Sequence, residues 1–133
     1  MANLISDYLG IHAQAMPLRE QRMKLIASNL SNADTPGYKA RDLDFDAALR
    51  QAQGQAGSGA LNATAEQHYA ISSPDGLNPF QMLRPGVQTS LDGNTVDPDT
   101  ERAAYGRAAL EYRASLSFVE SKVRTMLTAI TGQ

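Results

Sequence analysis

The 133-residue chain contains no cysteine and no tryptophan, and it has only three phenylalanines and two histidines. The absence of cysteine excludes disulfides, zinc ribbons and thiol catalysis, and it leaves the redox compartment open. Because the chain is short and its apolar residues are mostly aliphatic, we expect one modest core. The 12 basic and 14 acidic side chains are intermixed. This argues against a nucleic-acid partner, since phosphate contacts need clustered Lys and Arg.

The sequence also lacks long apolar runs. No stretch approaches the ~18 consecutive apolar residues that a transmembrane helix requires. Residues 1–16 have neither the cluster of basic residues nor the continuous apolar segment of a cleavable secretory signal. The sequence therefore predicts a protein that is synthesised in the cytoplasm and that would need a different export route to act elsewhere.

The reactive side chains form no recognisable catalytic or binding motif. His12 falls in a helical pattern and His68 in a polar stretch, and neither has an identifiable partner. Residues 42–46 begin like a calcium loop, but Ala47 stands where Gly is needed and Gln53 where a bidentate Glu is needed. We therefore predict no catalytic, cofactor-binding or metal-binding residue, no enzymatic activity and no small-molecule substrate. The alternating acids instead favour an edge strand or arm with one solvated face.

A helical pattern occupies the first thirty positions, where two neighbouring rows of residues repeat at alternating spacings of three and four. Pro17 lacks an N–H, so we expect a kink or a break between residues 13 and 17, and one helix or two remain alternatives. The turn sequence Asp34-Thr35-Pro36-Gly37 predicts that the helix ends near Asn32. The two rows are Leu4, Tyr8, Ile11, Ala15, Leu18, Arg22, Leu25 and Asn29, and Ile5, Leu9, His12, Met16, Arg19, Met23, Ile26 and Leu30.

A second long helix is predicted to begin at residues 97–101, because Asp97 can cap free amides and Pro98 suits the first helical position. Gly132 favours a stop after the last turn. The helix would be about 50 Å long at 1.5 Å per residue. Its apolar row repeats without a charged residue and consists of Tyr105, Ala109, Tyr112, Leu116, Val119, Val123, Met126 and Ile130.

The region between the helices is poor in apolar residues. Residues 39–49 could form an extended arm or a short helix, and residues 51–59 are Gly, Ala, Gln and Ser, which is typical of a flexible linker. Prolines and glycines in residues 60–95 leave room only for short strands. Asp92-Gly93-Asn94, between Val87 and Val96, predicts a hairpin-like turn.

These patterns predict a mainly α fold in which two long terminal amphipathic helices of coiled-coil type bracket a poorly ordered middle with short β and turn elements. The predicted units are a polymerisation helix over 1–32, a turn and arm over 33–50, a flexible or small β-containing middle over 51–96 and a second polymerisation helix over 97–133. Because the middle cannot cover both helices, we expect other copies of the chain to bury the open rows. An ordinary two-helix or three-helix core is the alternative. Arg22 and Asn29 favour assembly, since polar residues in an apolar row can fix register between like helices.

The stretch 27–38, Ala-Ser-Asn-Leu-Ser-Asn-Ala-Asp-Thr-Pro-Gly-Tyr, resembles the signature of bacterial flagellar axial proteins, whose N-terminal helix ends in an Asn-Ala-x-x-Thr-Pro-Gly-Tyr turn. Residues 39–45 and 92–97 are similar to those of the proximal rod subunits. The resemblance covers residues 1–50 and 84–133. It implies a structural subunit of the basal-body rod that is exported through the flagellar type III apparatus and assembles helically across the periplasm.

The resemblance also implies partners and residue roles. The partners would be other copies of the chain, neighbouring rod subunits, a FliE-type adapter, the MS ring and the flagellar export gate. The turn residues Asn32, Thr35, Pro36, Gly37 and Tyr38 would set the exit of the chain from an inner helical layer. Another rod subunit, or a cytoplasmic adaptor that presents one helix to a groove, is the alternative. The residues assigned to packing between subunits are Leu4, Ile11, Leu18, Leu25, Leu30, Tyr112, Leu116, Val119, Val123, Met126 and Ile130.

Overall fold

The computed structural model of the chain describes residues 8–54, 80–84 and 90–132. Over these ranges the elements are α1 (Ile11–Ser31), β1 (Arg41–Leu43), α2 (Phe45–Ala52), β2 (Gln81–Leu83) and α3 (Pro98–Thr131). The predicted mainly α fold, with two long terminal helices and short β elements between them, is confirmed.

Helix α1 runs through Pro17 without interruption, so the alternative of two helices divided there is wrong. The interruption lies at Gly10 instead, whose φ of 68° cannot continue a right-handed helix. At the other end, the Asn32 N–H donates to the carbonyls of Ser28 and Asn29, as expected of a helix that stops at the turn sequence. Leu4 and Ile5 lie outside the described residues.

Helix α3 has both of the boundaries that its capping residues predict. The Asp97 carboxylate accepts from the backbone N–H of Asp99 at 3.1 Å and of Thr100 at 3.5 Å, and Pro98 begins the helix. Gly132 adopts a left-handed φ of 72° and ends it. The 34 residues of α3 make it about 50 Å long.

Helices α1 and α3 pack side by side in opposite directions, and we call this pair the hairpin. Contacts between them progress forward along α1 and backward along α3. Just before α1, Lys122 Nζ donates a hydrogen bond to the Tyr8 carbonyl at 3.0 Å. The contacts along α1 are ring stacking of His12 on Phe118 at 4.6 Å, an ion pair of Arg19 with Glu111 at 2.8 Å, and a hydrogen bond from Asn29 to Glu101 at 3.3 Å.

Small side chains dominate the buried apolar positions, which come from α1, α2, α3 and residues 40–43. Ile26 and Leu43, exposed by 1% and 2%, are the large ones, and the others are Ala15, Ala40, Ala48 and Ala108. Alanine lets backbones approach closely but removes little apolar area from water. Directional polar contacts must therefore define much of the arrangement.

The two strands bring a distant part of the chain onto the hairpin. β1 and β2 pair antiparallel, with Arg41 opposite Leu83 and Leu43 opposite Gln81. The backbone N–H of Arg84 donates to the Ala40 carbonyl at 2.8 Å, which places the Arg84 side chain beside α3.

The segment after the turn combines both of its predicted alternatives, because a three-residue strand leads directly into α2. Asp44 ends the strand and caps the helix by accepting from the Ala47 N–H at 3.0 Å. The expectation of one solvated acidic face is wrong for Asp42, which is 7% exposed, whereas Asp44 and Asp46 are exposed. The predicted linker begins too early, since α2 continues to Ala52. Residues 55–59 lie outside the described ranges.

The Asp92-Gly93-Asn94 segment forms the expected tight turn. Gly93 has a φ of 79°, and its N–H donates to the Ser90 carbonyl at 2.9 Å. Residues 94–97, which follow the turn, form no strand. The turn therefore does not lead into the second strand of a β-hairpin. Val87 lies outside the described residues.

Candidate functional site: a polar cluster, a pinned turn and an open apolar row

Five polar side chains from α1, the strand pair and α3 converge where the strand pair meets the hairpin. We call Arg22, Asn29, Asp42, Arg84 and Glu101 the polar cluster. Asn29 is fully buried and Glu101 is 2% exposed. Burying such groups without partners would cost several kcal/mol, so their contacts decide whether the cluster stabilises the fold.

Arg84 links the strand pair to α3. One nitrogen donates to Asp42 Oδ2 at 3.0 Å and the other to Glu101 Oε1. Arg22 approaches the same aspartate from α1 with two nitrogens, at 3.1 Å and 3.3 Å. Two arginines thus balance two carboxylates, and the charge-assisted bonds tie three elements together.

Asn29 completes the outer edge of β1. Its Oδ1 accepts from the Arg41 N–H at 2.9 Å, and its Nδ2 donates to the Arg41 carbonyl at 2.7 Å and to Glu101 Oε2 at 3.3 Å. In this antiparallel register the backbone groups of Arg41 point away from β2. The amide therefore takes the place of a neighbouring strand.

These contacts correct the interpretation of Arg22 and Asn29 as residues that fix register between copies. Their hydrogen bonds fix the register of α1 against β1 and α3 of the same chain. Contacts inside the subunit therefore explain why the first row of α1 contains these two polar residues.

The cluster makes Asp42 more acidic than an ordinary aspartate. Burial raises the pKa of Asp42, but hydrogen bonds from Arg22, the Leu43 N–H and Arg84 together outweigh it and lower the pKa below its usual value. Asp97 also has a lowered pKa, because the Thr100 hydroxyl and the N–H groups of Thr100 and Asp99 bind its charged form.

We expect the contribution of Asp42 to the free energy of unfolding to be constant near neutral pH and to decrease in acid. In the unfolded chain Asp42 takes up its proton near its ordinary pKa of 3.8. A group with a lowered folded pKa stabilises the fold above the unfolded value, and this contribution is lost as the pH falls through the folded pKa. Denaturation titrations between about pH 6 and pH 2 check this. Asp42→Asn should flatten the slope, and an unchanged slope in that variant would contradict the assignment.

Asn94 binds the turn that follows α1. Its Nδ2 lies 2.9 Å, 2.8 Å and 2.9 Å from the carbonyl oxygens of Asn32, Ala33 and Thr35, and its Oδ1 accepts from the Val96 N–H at 2.7 Å. Asn94 is 3% exposed. One buried NH2 group is therefore shared among three carbonyls that follow the helix, two of which, on Asn32 and Thr35, also accept from the N–H groups of Thr35 and Tyr38.

The backbones of the two turns touch. The Gly37 N–H donates to the Asp92 carbonyl at 2.9 Å, and a Cβ on Gly93 would lie 3.7 Å from the Gly37 Cα. Gly37 and Gly93 have φ of 73° and 79°, a region that favours glycine. Tyr38 folds back, with its hydroxyl 3.3 Å from Ser28 Oγ.

The turn residues singled out in the sequence share this site. Asn32 Oδ1 accepts from the Thr35 hydroxyl at 3.1 Å, and Asn32 Nδ2 donates to the Ser28 carbonyl at 2.8 Å. Pro36 is exposed beside Gly37. The turn is thus held by its own side chains and by residues about 60 positions further along the chain.

The face of α3 that contacts α1 is not the predicted apolar row. Glu101, Ala108 and Ser115 are its buried residues and recur every seven positions. The apolar row lies beside this face, one position further along at Ala109 and Leu116. Within the row, Tyr105, Leu116 and Ile130 are exposed by 40%, 37% and 75%. Half-buried members are Ala109, Tyr112, Val119, Val123 and Met126.

The candidate packing residues of α1 also flank its buried face. Ala15, Ile26 and Asn29 are buried, whereas Ile11 is 46% exposed. Leu18, Leu25 and Leu30 are half-buried. Leu4, the remaining candidate in this segment, lies outside the described residues.

Asp42, Arg84 and Glu101 were not singled out as structural residues from the sequence, and Asn94 only as part of a turn. One signal was present for α3: a seven-residue repeat of small and polar residues starting at Glu101 beside the apolar row is typical of close helix approach. Arg84 had no such signal, because it follows a three-residue strand that no periodicity marks.

The two histidines are the remaining candidates for chemistry. His12 stacks on Phe118 with an interplanar angle of 22°, and His68 lies outside the described ranges. Across residues 8–54, 80–84 and 90–132, no three His, Cys, Asp or Glu side chains are grouped so that they could hold a metal ion. In the same part of the chain, no helix is both long and apolar enough to cross a membrane.

Comparison with known proteins places this arrangement in a class. The model of the family described as flagella basal body rod protein matches residues 9–39, which comprise α1 and the turn that Asn94 holds. This part of the chain is therefore similar to flagellar rod proteins.

Curated relatives extend the match to the whole chain. A flagellar basal body rod protein FlgB of Aeromonas hydrophila is 43% identical over 133 residues and covers 100% of this chain and 99% of that protein. FlgB of Cereibacter sphaeroides is 42% identical over 127 residues, 96% of each chain. FlgB of Salmonella typhimurium is 36% identical over 139 residues, 99% of each chain. The chain belongs to the FlgB family of flagellar basal-body rod proteins.

This family is structural and not enzymatic. The chain is accordingly a subunit of the bacterial flagellar basal-body rod. The confirmed part of the resemblance is the family, the absence of an enzymatic role and the location in the basal body.

Proposed function

We propose that the subunit assembles helically through its terminal helices, after export by the flagellar type III apparatus. The observation that carries this proposal is the division of α3 into two faces. The residues buried on the face toward α1 are Glu101, Ala108 and Ser115, while Tyr105, Leu116 and Ile130 of the apolar row remain exposed beside them. A hairpin sufficient to itself would bury its most apolar row internally.

The length of the open row supports burial by other subunits. Tyr105 and Ile130, both exposed, are 25 positions apart, which corresponds to about 37 Å along the helix. A surface of this length next to an existing helix contact suits another helix, and repetition of one non-symmetric contact generates an open helical assembly. Neighbouring rod subunits and other copies of the chain are the proposed partners.

The pinned turn has a proposed role in this assembly. Because Asn94 fixes the carbonyls after α1, the chain leaves the hairpin in one direction. Asn32, Thr35, Pro36, Gly37 and Tyr38 would thereby set the exit from the helical layer. A FliE-type adapter, the MS ring and the export gate are the proposed neighbours at the base, as the resemblance of residues 1–50 and 84–133 to rod subunits implies.

Sedimentation of the purified chain over a rising concentration series tests the proposal. We expect the mean sedimentation coefficient to keep increasing, because an open assembly has no fixed size. An adaptor that presents one helix to a partner predicts a monomer or a small complex that saturates. Saturation at a fixed size would contradict helical self-assembly while leaving family membership intact.

A further inference from the structure

A groove beside the hairpin is a candidate for one side of the contact between copies. It has a volume of about 470 Å³ and lies between α1, the start of α2 and the strand pair, and all its lining residues belong to the described part of the chain. Phe45 and Met82 supply its accessible apolar surface, and the buried Leu43 lies behind them. The guanidinium of Arg19 lies 5.0 Å from the centre of the Phe45 ring. Met82 is 49% exposed, so the groove opens to solvent.

The rim of the groove is negatively charged. Asp44 and Asp46 lie on it and are exposed. Within the described residues, the ion pairs of the groove involve other acids: Asp42 binds Arg22 and Arg84, and Glu111 binds Arg19 and Arg107. The Asp44 carboxylate caps α2 and has no cationic partner among those residues. An occupant that brings a cation next to an apolar side chain would match this rim.

Helix α3 presents such a pattern twice. Arg113 precedes Leu116 by three positions, and Arg124 precedes Leu127 by three positions. The two pairs are eleven residues apart, which is close to three helical turns, so they lie on the same face. We call these four residues the Arg–Leu stripe. Leu116 and Leu127 are 37% and 54% exposed.

The arginines of the stripe are available for an external contact. Neither Arg113 nor Arg124 makes an ion pair within residues 8–54, 80–84 and 90–132, and both are exposed. Glu120 lies between them on the helix, so the four residues of the stripe together with Glu120 have a net charge of +1, from two Arg and one Glu. The stripe borders the apolar row, with which it shares Leu116.

We propose that the Arg–Leu stripe of one copy docks into the acid-rimmed groove of a second copy, with a leucine against Phe45 and Met82 and an arginine at Asp44 or Asp46. The contact joins two different surfaces, so it repeats from copy to copy without closing. This inference rests on the proposed helical assembly and specifies which surfaces meet in it.

The absence of native cysteine allows a direct test with single-cysteine variants of the full chain. Met82→Cys protein is mixed with Leu116→Cys protein under assembly conditions and oxidised. We expect a disulfide-linked mixed dimer in clear excess over the Leu116→Cys homodimer, because a disulfide needs Cα atoms within about 7 Å. In the matched control, the Lys24→Cys variant replaces the Met82→Cys variant. Lys24 lies on the opposite side of α1 from Ala15, and its side chain is 73% exposed.

A charge exchange gives an independent readout that does not depend on thiol reactivity. Asp46→Arg and Arg113→Asp should each weaken self-association by about tenfold, and a mixture of the two variants should recover most of it. Equal disulfide yields with the Lys24→Cys control, or a dominant Leu116→Cys homodimer, would overturn the inference. If the wild-type chain grows in sedimentation and the mixed dimer is absent, this contact is wrong and the proposed function stands. If neither growth nor the mixed dimer is found, both fail.

Discussion

Replacing Arg84 by methionine should lower the free energy of unfolding by about 3 kcal/mol, because it leaves the carboxylate of Glu101 buried without a cation. Glu101 is 2% exposed and would retain only the 3.3 Å hydrogen bond from Asn29. Asp42 would keep its two bonds from Arg22. Denaturation by urea, followed by far-ultraviolet circular dichroism, measures the change.

The matched control is Arg102→Met on the exposed side of α3. Arg102 pairs with Asp99, and the side chains of the two are 65% and 91% exposed. Because exposed ion pairs contribute little, the change should stay below about 0.5 kcal/mol. Equal losses in the two variants would mean that the polar cluster is not the element that stabilises the hairpin.

Leu116→Asp should abolish assembly while leaving the isolated hairpin folded. Leu116 is 37% exposed in the subunit, so a carboxylate there remains hydrated until a neighbour covers it. Burying it would then cost about 3 kcal/mol or more, equivalent to a loss of more than 100-fold in association. Sedimentation of the purified variant measures assembly, and its far-ultraviolet circular dichroism measures folding. The amount of the variant secreted by flagellated cells should stay close to the wild-type amount. Val119→Asp should also abolish assembly.

Leu110→Asp provides the control for this prediction. Leu110 is 70% exposed on the same helix, and it points about 160° away from the buried Ala108. The Leu110→Asp variant should assemble like the wild-type chain. If both variants lost assembly equally, the introduced negative charge and not the position of Leu116 would be responsible for the loss. If Leu116→Asp lost secretion as strongly as assembly, the apolar row would serve export.

The parts of the fold that the sequence predicted are those with local causes. Asp97 and Pro98 act on amides within three residues, and Gly132 ends α3 through its own φ. The turn after Asn32 likewise follows from Thr35-Pro36-Gly37. In each case the residues that cause the feature are adjacent to it, so one sequence suffices.

The parts that the sequence did not predict depend on distant pairing. Arg84 meets Asp42 across 42 positions and Glu101 across 17. No periodicity indicates which arginine makes these contacts. The face of α3 that contacts α1 was not predicted either, because the spacing of apolar residues identifies apolar faces and not the face with the smallest side chains. Ala108 and Ser115 let the helices approach, whereas Leu116 is left beside the contact.

The amide of Asn94 also dictates an order of events. Synthesis delivers the Thr-Pro-Gly segment long before Asn94, because some 60 residues separate them. Until then the carbonyls of Asn32 and Thr35 have the local N–H donors of Thr35 and Tyr38 but lack the amide of Asn94. Closing so large a loop is slow and entropically costly. The bend that directs the chain away from the first helix can therefore form early from its own residues, but it is fixed in place only when the second half of the polypeptide has arrived.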